Sequence, residues 1–529
     1  MPAKWWGWGD ERKSFALADP QRFWTFLEQR LGKTAEAARL RSLDEIALRP
    51  SRLGDGQLAL LRRVLGDANV VIDRADRVVH SLGKGYRDLV RIRRGDIASP
   101  TDAVVYPESD AQVAAVLDLA ASEAFSVIPF GGGTSVVGGV EPLGDKPTLT
   151  LDLRLMDRVV ALDRVSGLAT VEAGIFGPAL EAALNAAGFT LGHFPQSFEY
   201  STLGGWIATR SAGQNSTRYG KIEKNVEGVR LHFPGGVMET PAVPAAAAGP
   251  DFNQLVAGSE GAFGIITRAV IRLAPLPERS DYRAYLMPDF EKGVEAAREM
   301  LQSGLRPSLL RISDEAESEA TALMQAGAEG LTLSLFLLGF DGDEAEVRSS
   351  WERAEAVMDR CGGNSLGAGP GDAWRRSRFE APYLRDLLLD RSVMVDTLET
   401  ATTWSNYLPL YRSTRDAMQS AMGGRGIAMA HLSHAYTHGA SIYYTFLARQ
   451  REGEELGQWQ EVKDAATRAI IDGGGALSHH HAIGIEHRRW LPEYLGDGGV
   501  ETLRSLKRTL DPSDIMNPGK LIPPAKETT

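Results

Sequence analysis

The sequence predicts an α+β chain of several domains, on three observations. Strand-length apolar or alternating segments interleave with amphipathic helical patterns. The 56 glycines gather into a few dense stretches. No apolar run reaches the ~18 residues a bilayer crossing needs. At ~150 residues per domain, a chain of 529 suggests roughly three to four domains. Apolar residues at 43% and charged residues at 24% exclude a disordered or collagen-like chain. The net charge of −11 is a poor footprint for non-specific nucleic-acid binding. A lone cysteine, Cys361, excludes an intramolecular disulfide and a Cys-x-x-Cys metal site, and suits a reducing compartment. Met1 to Glu11 has no basic start followed by an apolar run, and Lys526-Glu527-Thr528-Thr529 is no peroxisomal address. The expected location is cytoplasmic, with peripheral membrane contact left open.

Helical patterns over Asp19 to Leu31, Ala35 to Arg49 and Asp55 to Leu65 define an N-terminal helical region, 1–95, with no catalytic signature. Ala103 to Tyr106 reads as a strand and Ser109 to Phe125 as a helix with the apolar face Val113, Val116, Leu117 and Ala120. Ser126 to Phe130 is a second strand, ending in Gly131-Gly132-Gly133-Thr134-Ser135. Two alternating strands follow, Thr148 to Leu153 and Leu168 to Ala173, then a helix from Pro178 to Ala187 that exploits proline's tolerance at a helix start. Glycine-dense segments, Gly204 to Gly220 and Gly258 to Thr267, complete a region 96–277, closed by the stiff Pro275-Leu276-Pro277. A second sheet layered with helices is expected over 278–450, from strands at Tyr282 to Met287 and Leu331 to Leu338 and helices at Phe290 to Gln302 and Asp343 to Arg360. The last region, 451–529, carries a short helix, Val500 to Leu510, and a turn-rich end.

The triple glycine does not open a helix as a Rossmann turn would, because Thr134-Ser135-Val136-Val137-Gly138-Gly139-Val140 is poor helix material. It is instead a loop whose unencumbered N–H groups can form a nest for a diphosphate; a glycine-rich hairpin is the plainer alternative. A second cluster, Pro195 to Gly213, supplies the hydroxyls Ser201, Thr202, Thr209 and Ser211 beside Gly204, Gly205 and Gly213. Two such cradles suit one long dinucleotide.

These segments, with Gly258-Ser259-Glu260-Gly261 to Ile266, resemble the flavin-binding segments of the vanillyl-alcohol-oxidase-type FAD superfamily. Within it the chain is similar to the alkyldihydroxyacetonephosphate synthase family, through Lys4-Trp5-Trp6-Gly7-Trp8-Gly9, Tyr383-Leu384-Arg385-Asp386, Gly439-Ala440-Ser441-Ile442-Tyr443 and Ser478-His479-His480-His481. The likeness runs from the first residues to Asn517-Pro518. It implies a two-subdomain FAD-binding domain of the PCMH type, an α/β cap and helical N- and C-terminal segments. It also implies FAD as cofactor, held by Pro129, Phe130, Gly131, Gly132, Gly133, Thr134, Ser135, Gln196, Ser197, Ser201, Thr202, Gly205, Thr209, Ser211, Ala212, Glu260, Gly264, Ile265 and Ile266. With no histidine or cysteine in 129–135, no covalent tether is expected from that loop.

In an extended segment His479 and His481 would share a face, with His480 opposite. The three read as phosphate or flavin-edge ligands, as part of a metal site with His434 and His438 if those were helical, or as a packed cluster. No resident metal is expected. Tyr443 lies in a buried strand, Ala440 to Leu447, where aromatics are ordinary, as its neighbour Tyr444 illustrates; the resemblance places it where the family has its acid/base tyrosine. Arg311 sits among apolar neighbours and would need an anionic partner; the resemblance puts it near the flavin. Arg385 matches the family arginine that contacts substrate, where a guanidinium suits phosphate.

The activity implied is the exchange of the fatty acid of acyl-dihydroxyacetone phosphate for a long-chain fatty alcohol, forming the ether bond of ether lipids without net redox. Tyr443, His479, His480 and His481 would be catalytic, Arg385 and Arg311 substrate-side, and an apolar tunnel would run between the two sheets. A homodimer is expected. The alternatives are an FAD-dependent oxidase or dehydrogenase of a 2-hydroxy acid such as D-lactate, and a flavoprotein-like binding protein without catalysis. Two departures from the family pattern keep the first alternative open: Ala482-Ile483-Gly484-Ile485-Glu486 after the histidines, with a negative charge near a phosphate site, and Gln196 where an acid is expected.

Overall fold

The computed structural model describes residues 4–35, 40–324 and 332–524. Helix α1 (Pro20–Leu31) starts where Asp19 accepts a hydrogen bond from the Arg22 amide and Pro20 supplies a preset φ, and it buries Phe23, Trp24, Phe26, Leu27 and Leu31. Helix α2 (Asp55–Leu65) follows. The helix expected over Ala35 to Arg49 is not formed in its described part, which holds only a 3-10 turn, Leu43–Glu45; residues 36–39 lie outside the described residues. Pro50 disfavours helical geometry at Arg49, and tertiary ties from Arg49 to Asp102 (2.8 Å) and from Arg74 to the Ile46 carbonyl (2.5 Å) hold the segment open.

A four-stranded sheet contains β1 (Val70–Val71), β2 (Ala103–Val105), β3 (Ser126–Phe130) and β4 (Thr148–Asp152) in the order β1-β2-β4-β3. Strands β2, β4 and β3 are parallel and covered by α3 (Asp110–Ser122), through the apolar face read from the sequence. A five-stranded antiparallel sheet contains β5 (Val159–Asp163), β6 (Leu168–Glu172), β7 (Val226–Phe233), β8 (Gly236–Glu239) and β9 (Ile265–Arg272), in the order β5-β6-β9-β7-β8. Helix α4 (Leu203–Thr209), capped by Thr202, packs on it.

The third sheet is antiparallel and seven-stranded: β10 (Arg279–Met287), β11 (Leu309–Ser313), β12 (Ser334–Gly342), β13 (Asn364–Gly367), β14 (Val393–Thr403), β15 (Gly426–Tyr436) and β16 (Gly439–Arg449), in the order β13-β10-β12-β11-β15-β16-β14. The strand expected from Leu331 thus begins at Ser334, and Leu331 lies outside the described residues. One face packs α5 (Phe290–Gln302), α7 (Glu344–Arg360), α9 (Trp404–Ala421) and α10 (Glu455–Asp472) into the largest core. The other face receives α1, α6 (Glu315–Met324) and α8 (Ala381–Asp390).

A last helix, α11 (Leu491–Leu510), begins earlier than Val500, with a kink at Gly496. The chain then returns to the first sheet: Met516 bridges Val127, and the Asn517 side chain donates to the carbonyls of Glu260 (2.6 Å) and Gly139 (3.0 Å).

Candidate active site

A cavity of about 710 Å³ lies where the glycine loops meet the face of the seven-stranded sheet that carries α1, α6 and α8. The loop Gly131–Ser135 leaves β3 without entering a helix, and its geometry explains both glycine clusters at once. A Cβ on Gly132 would meet the Tyr200 carbonyl oxygen at 1.6 Å, and one on Gly131 would meet Thr202 Oγ1 at 2.2 Å. The two loops therefore close on each other backbone to backbone, which only glycine permits. Together they present Thr134, Ser135, Ser197, Ser201, Thr202, Thr209 and Ser211 to one continuous wall.

All the expected cofactor residues line the cavity except Ile265, which is fully buried in the sheet core. Strand alternation is the reason: Gly264 and Ile266 face the cavity and Ile265 the opposite side. The wall fits a flavin dinucleotide in volume and in its small, hydroxyl-rich lining. Four buried polar atoms on cavity residues, Trp8 Nε1, Gln214 Oε1, Glu317 Oε2 and Arg385 Nε, have no protein hydrogen-bond partner.

Alternation also separates the two neighbouring tyrosines of β16. Tyr444 points into the core, its hydroxyl donating to the Leu410 carbonyl at 3.3 Å, whereas Tyr443 faces the cavity. On β15 the alternate residues Ile427, Met429 and His431 face the cavity; a register shift between Leu432 and Ala435 then turns both Ser433 and His434 toward it. His434 is thus a strand residue and His438 lies in the following turn, so the helical spacing that might have paired them does not exist.

The Tyr443 ring is sandwiched between His431, at a centroid distance of 4.8 Å and an angle of 20°, and His480, at 5.9 Å and 18°; His481 meets it edge-on at 5.5 Å. Burial pushes the phenol up to about 12, so it holds its proton at neutral pH, with Thr397 as side-chain partner. Burial moves His480 the other way, well below the ordinary imidazole value, and lowers His481 and His431 as well, so these rings are neutral at neutral pH.

The histidine loop does not have the expected alternation. Residues 478–481 form a bend in which His480 and His481 both face the cavity, while His479 turns away and pairs through Nε2 with the Tyr436 hydroxyl at 2.6 Å. Ring nitrogens of His434, His479 and His480 lie within 4.8 Å of one another, a spacing that could hold a metal ion.

Arg311 lines the cavity already partnered: Nη2 donates to Glu317 at 2.9 Å and Nη1 lies 3.1 Å from His431 Nε2. A His431 protonated at Nδ1 donates to the same carboxylate at 3.0 Å. Arg385 differs in that its buried Nε has no partner and burial pulls its guanidinium below the ordinary value. Its helix, α8, is strapped by the tryptophan-rich N-terminus. Asp386 accepts from Lys4 Nζ (3.2 Å) and the Trp8 amide (3.0 Å), while the Asp10 amide donates to the Tyr383 hydroxyl (3.2 Å). Glu486 adds no unpaired charge, because Lys463 pairs with it at 2.5 Å. The Gln196 amide donates to the Arg378 carbonyl at 2.7 Å.

Beyond Tyr443 and Arg311 the cavity becomes apolar, lined by Phe23, Phe26 and Leu27 of α1, Ala320 and Met324 of α6, Leu384 and Leu388 of α8, and Val395, Ile427, Met429 and Leu447 of the sheet. The tunnel is therefore between one sheet and three helices and not between two sheets. The N-terminal region, without catalytic signature in its sequence, builds part of it. Sequence reading also missed His431, Thr397 and Glu399; His431 carried a signal in the alternation of Gly426–Tyr436, but only strand pairing sets it opposite Tyr443.

Two domain families match the chain: an FAD binding domain over residues 101–240 and the C-terminal domain of FAD linked oxidases over 276–521. An alkyldihydroxyacetonephosphate synthase of Trypanosoma brucei brucei is 36% identical over 88% of this chain and 80% of its own length; one of Dictyostelium discoideum is 32% identical over 99% and 94%. A solved structure of alkyldihydroxyacetonephosphate synthase superposes with a TM-score of 0.86 at 30% identity, covering 98% of this chain and 99% of that one. A D-lactate dehydrogenase (cytochrome) of Arabidopsis thaliana is more distant, at 27% identity over 80% of this chain and 74% of its own.

Proposed function

The chain belongs to the alkyldihydroxyacetonephosphate synthase family of FAD-dependent enzymes, and from that premise we propose that Tyr443, His480, His481 and Arg385 form the site where acyl-dihydroxyacetone phosphate exchanges its fatty acid for a long-chain fatty alcohol. The observation that carries the reading is one continuous cavity with a polar end suited to a phosphate and a flavin and an apolar end suited to an alkyl chain. Bound FAD supplies the covalent chemistry at C1 of the substrate without net oxidation.

The protein's own groups do the rest. Arg385, unpaired at Nε, holds the phosphate, which restores the charge partner that its burial removes. Tyr443 is the acid/base at C1. Because it is protonated at rest, it acts as a base only after giving up its proton, and of the three imidazoles around its ring His480 and His481 are the two not tied to Arg311 and Glu317. Arg311, already paired with Glu317, supports the flavin end of the pocket and fixes His431 under Tyr443. His479 contributes by its packing on His434 and Tyr436, at the back of the cluster. The apolar end takes each chain in turn and excludes water from the exchange. No helix among the described residues is long and apolar enough to cross a membrane; a peripheral contact would let lipid substrates enter, and vesicle flotation tests it. A homodimer, implied by the resemblance, is checked by sedimentation.

The test is anaerobic mixing of the FAD-loaded protein with acyl-dihydroxyacetone phosphate and, separately, with D-lactate or D-2-hydroxyglutarate, following flavin absorbance. Release of fatty acid without lasting bleaching is expected from the first. Bleaching by a hydroxy acid without fatty-acid release would replace this reading with that of a dehydrogenase.

A further inference from the structure

Glu399 has no place in the chemistry described above, yet it lies at the centre of the site. On β14 it is the cross-strand partner of Tyr443, which is in turn the partner of His431 on β15, so the three residues occupy one rung of the sheet. Its side chain is 1% exposed. A carboxylate buried this deeply is tolerated only if its lone pairs are filled, and here all the donors come from one loop. Ser478 Oγ donates at 2.7 Å, and the three successive amides of His479, His480 and His481 donate at 2.5, 3.1 and 2.9 Å. Ser478 Oγ also accepts from the His481 amide at 3.2 Å, closing the turn on itself. The loop thus wraps its backbone around a single carboxylate, which is why the histidines adopt a bend in place of the extended alternation expected from their sequence. These donors and the surrounding imidazoles hold the carboxyl down at about 2, so it stays charged throughout the working range. Its engagement also removes the loop amides from phosphate binding, leaving that task to side chains.

We propose that Glu399 is the positioning residue of the histidine loop, fixing the imidazoles of His480 and His481 against Tyr443 by accepting hydrogen bonds from the loop backbone. The role as a catalytic support rests on the function proposed above, whereas the anchoring itself does not. The experiment compares the FAD-loaded full chain with Glu399→Ala and Glu399→Gln, by hydrogen exchange of peptides covering 476–484 and by turnover of acyl-dihydroxyacetone phosphate. Glu399→Ala should keep its flavin spectrum, exchange the 479–481 amides roughly tenfold faster while β16 stays protected, and lose about 100-fold in kcat/KM. Glu399→Gln, which keeps one acceptor oxygen, should recover part of both losses. Unchanged exchange at 479–481, kcat/KM within about threefold of the parent, or a Gln variant no better than Ala would overturn the proposal. If Glu399→Ala cannot take up FAD, Ser478→Ala provides the milder test: faster exchange at His481 is expected, and unaltered exchange overturns the anchoring. Should exchange respond while the parent protein turns over no acyl-dihydroxyacetone phosphate, the proposed reaction fails and the anchor stands.

Discussion

The two ends of the cavity are built in opposite ways. The polar end consists of short segments, Pro129 to Ser135, Ser197 to Ala212 and His480 to Ala482, each presenting several groups close together in the chain. The apolar end takes scattered residues from α1, α6, α8 and alternate positions of three strands, drawn from Phe23 to Leu447. Chemistry needs donors and proton carriers held within ångströms of each other, which adjacent residues on a stiff loop supply. Containment of a chain needs only surface of the right shape, which any packed element can contribute. The polar end should therefore fail sharply under single substitutions, and the apolar end should shift its preference by degrees.

The largest effect expected is at Tyr443. Tyr443→Phe should lower exchange by about 1,000-fold or more while the protein stays yellow and FAD-bound; undiminished turnover would remove the acid/base role from this end. Next is Arg385. Arg385→Ala should cost about 10- to 100-fold in kcat/KM, the equivalent of one charge-assisted contact, and Arg385→Lys should restore only part, because a point charge does not replace a planar fork. A loss seen equally with a substrate lacking phosphate would place Arg385 outside the phosphate site.

At the other end, Ala320→Phe narrows the tunnel where α6 faces α1. It should lower kcat/KM for a sixteen-carbon chain by about tenfold and leave an eight-carbon chain nearly unaffected; equal losses for both would mean that the chain lies elsewhere. The smallest effect concerns stability. Burial pulls His434 down to about 3, and its Nδ1 is engaged with Ser216 Oγ at 2.8 Å. Between pH 6.5 and 3 the unfolded chain binds a proton there that the folded one refuses, so stability is lost as pH falls below 6.5 and is intact above it. His434→Asn removes this dependence. Relative to the variant, the parent should lose about 2 kcal/mol between pH 7 and pH 5, read from urea midpoints. The difference between the two proteins is the useful quantity, because Glu260, Asp314 and Asp88, each raised to about 7 by burial, act in the opposite direction over part of the same window.

How much of this was legible follows the same division. The periodicity of α1, α3 and α5 and the alternation of β4 and β6 announced themselves, since those signals are local. Glycine pairs that must touch were visible as composition, though not as a contact between Gly132 and Tyr200. The helix read over Ala35 to Arg49 is not formed in its described part because Pro50 restricts Arg49 locally and the ties of Arg49 and Arg74 outweigh a periodic pattern. Glu486, which looked like a charge intruding on a phosphate site, is neutralised by Lys463, a residue 23 positions earlier in sequence and buried beside it.

The sequence by itself singled out the candidate residues: the glycine loops, the arginines and the histidines through their composition and likeness to a family, and Tyr443 through that likeness alone. Tertiary structure alone decided which of them share a space. Strand register sets Glu399, Tyr443 and His431 on one rung, a bulge turns His434 inward, and a carboxylate bends the histidine loop so that His480 and His481 face the cavity and His479 does not. The physical reason is that a residue's type is a local quantity, whereas pairing and burial depend on segments well separated in the chain.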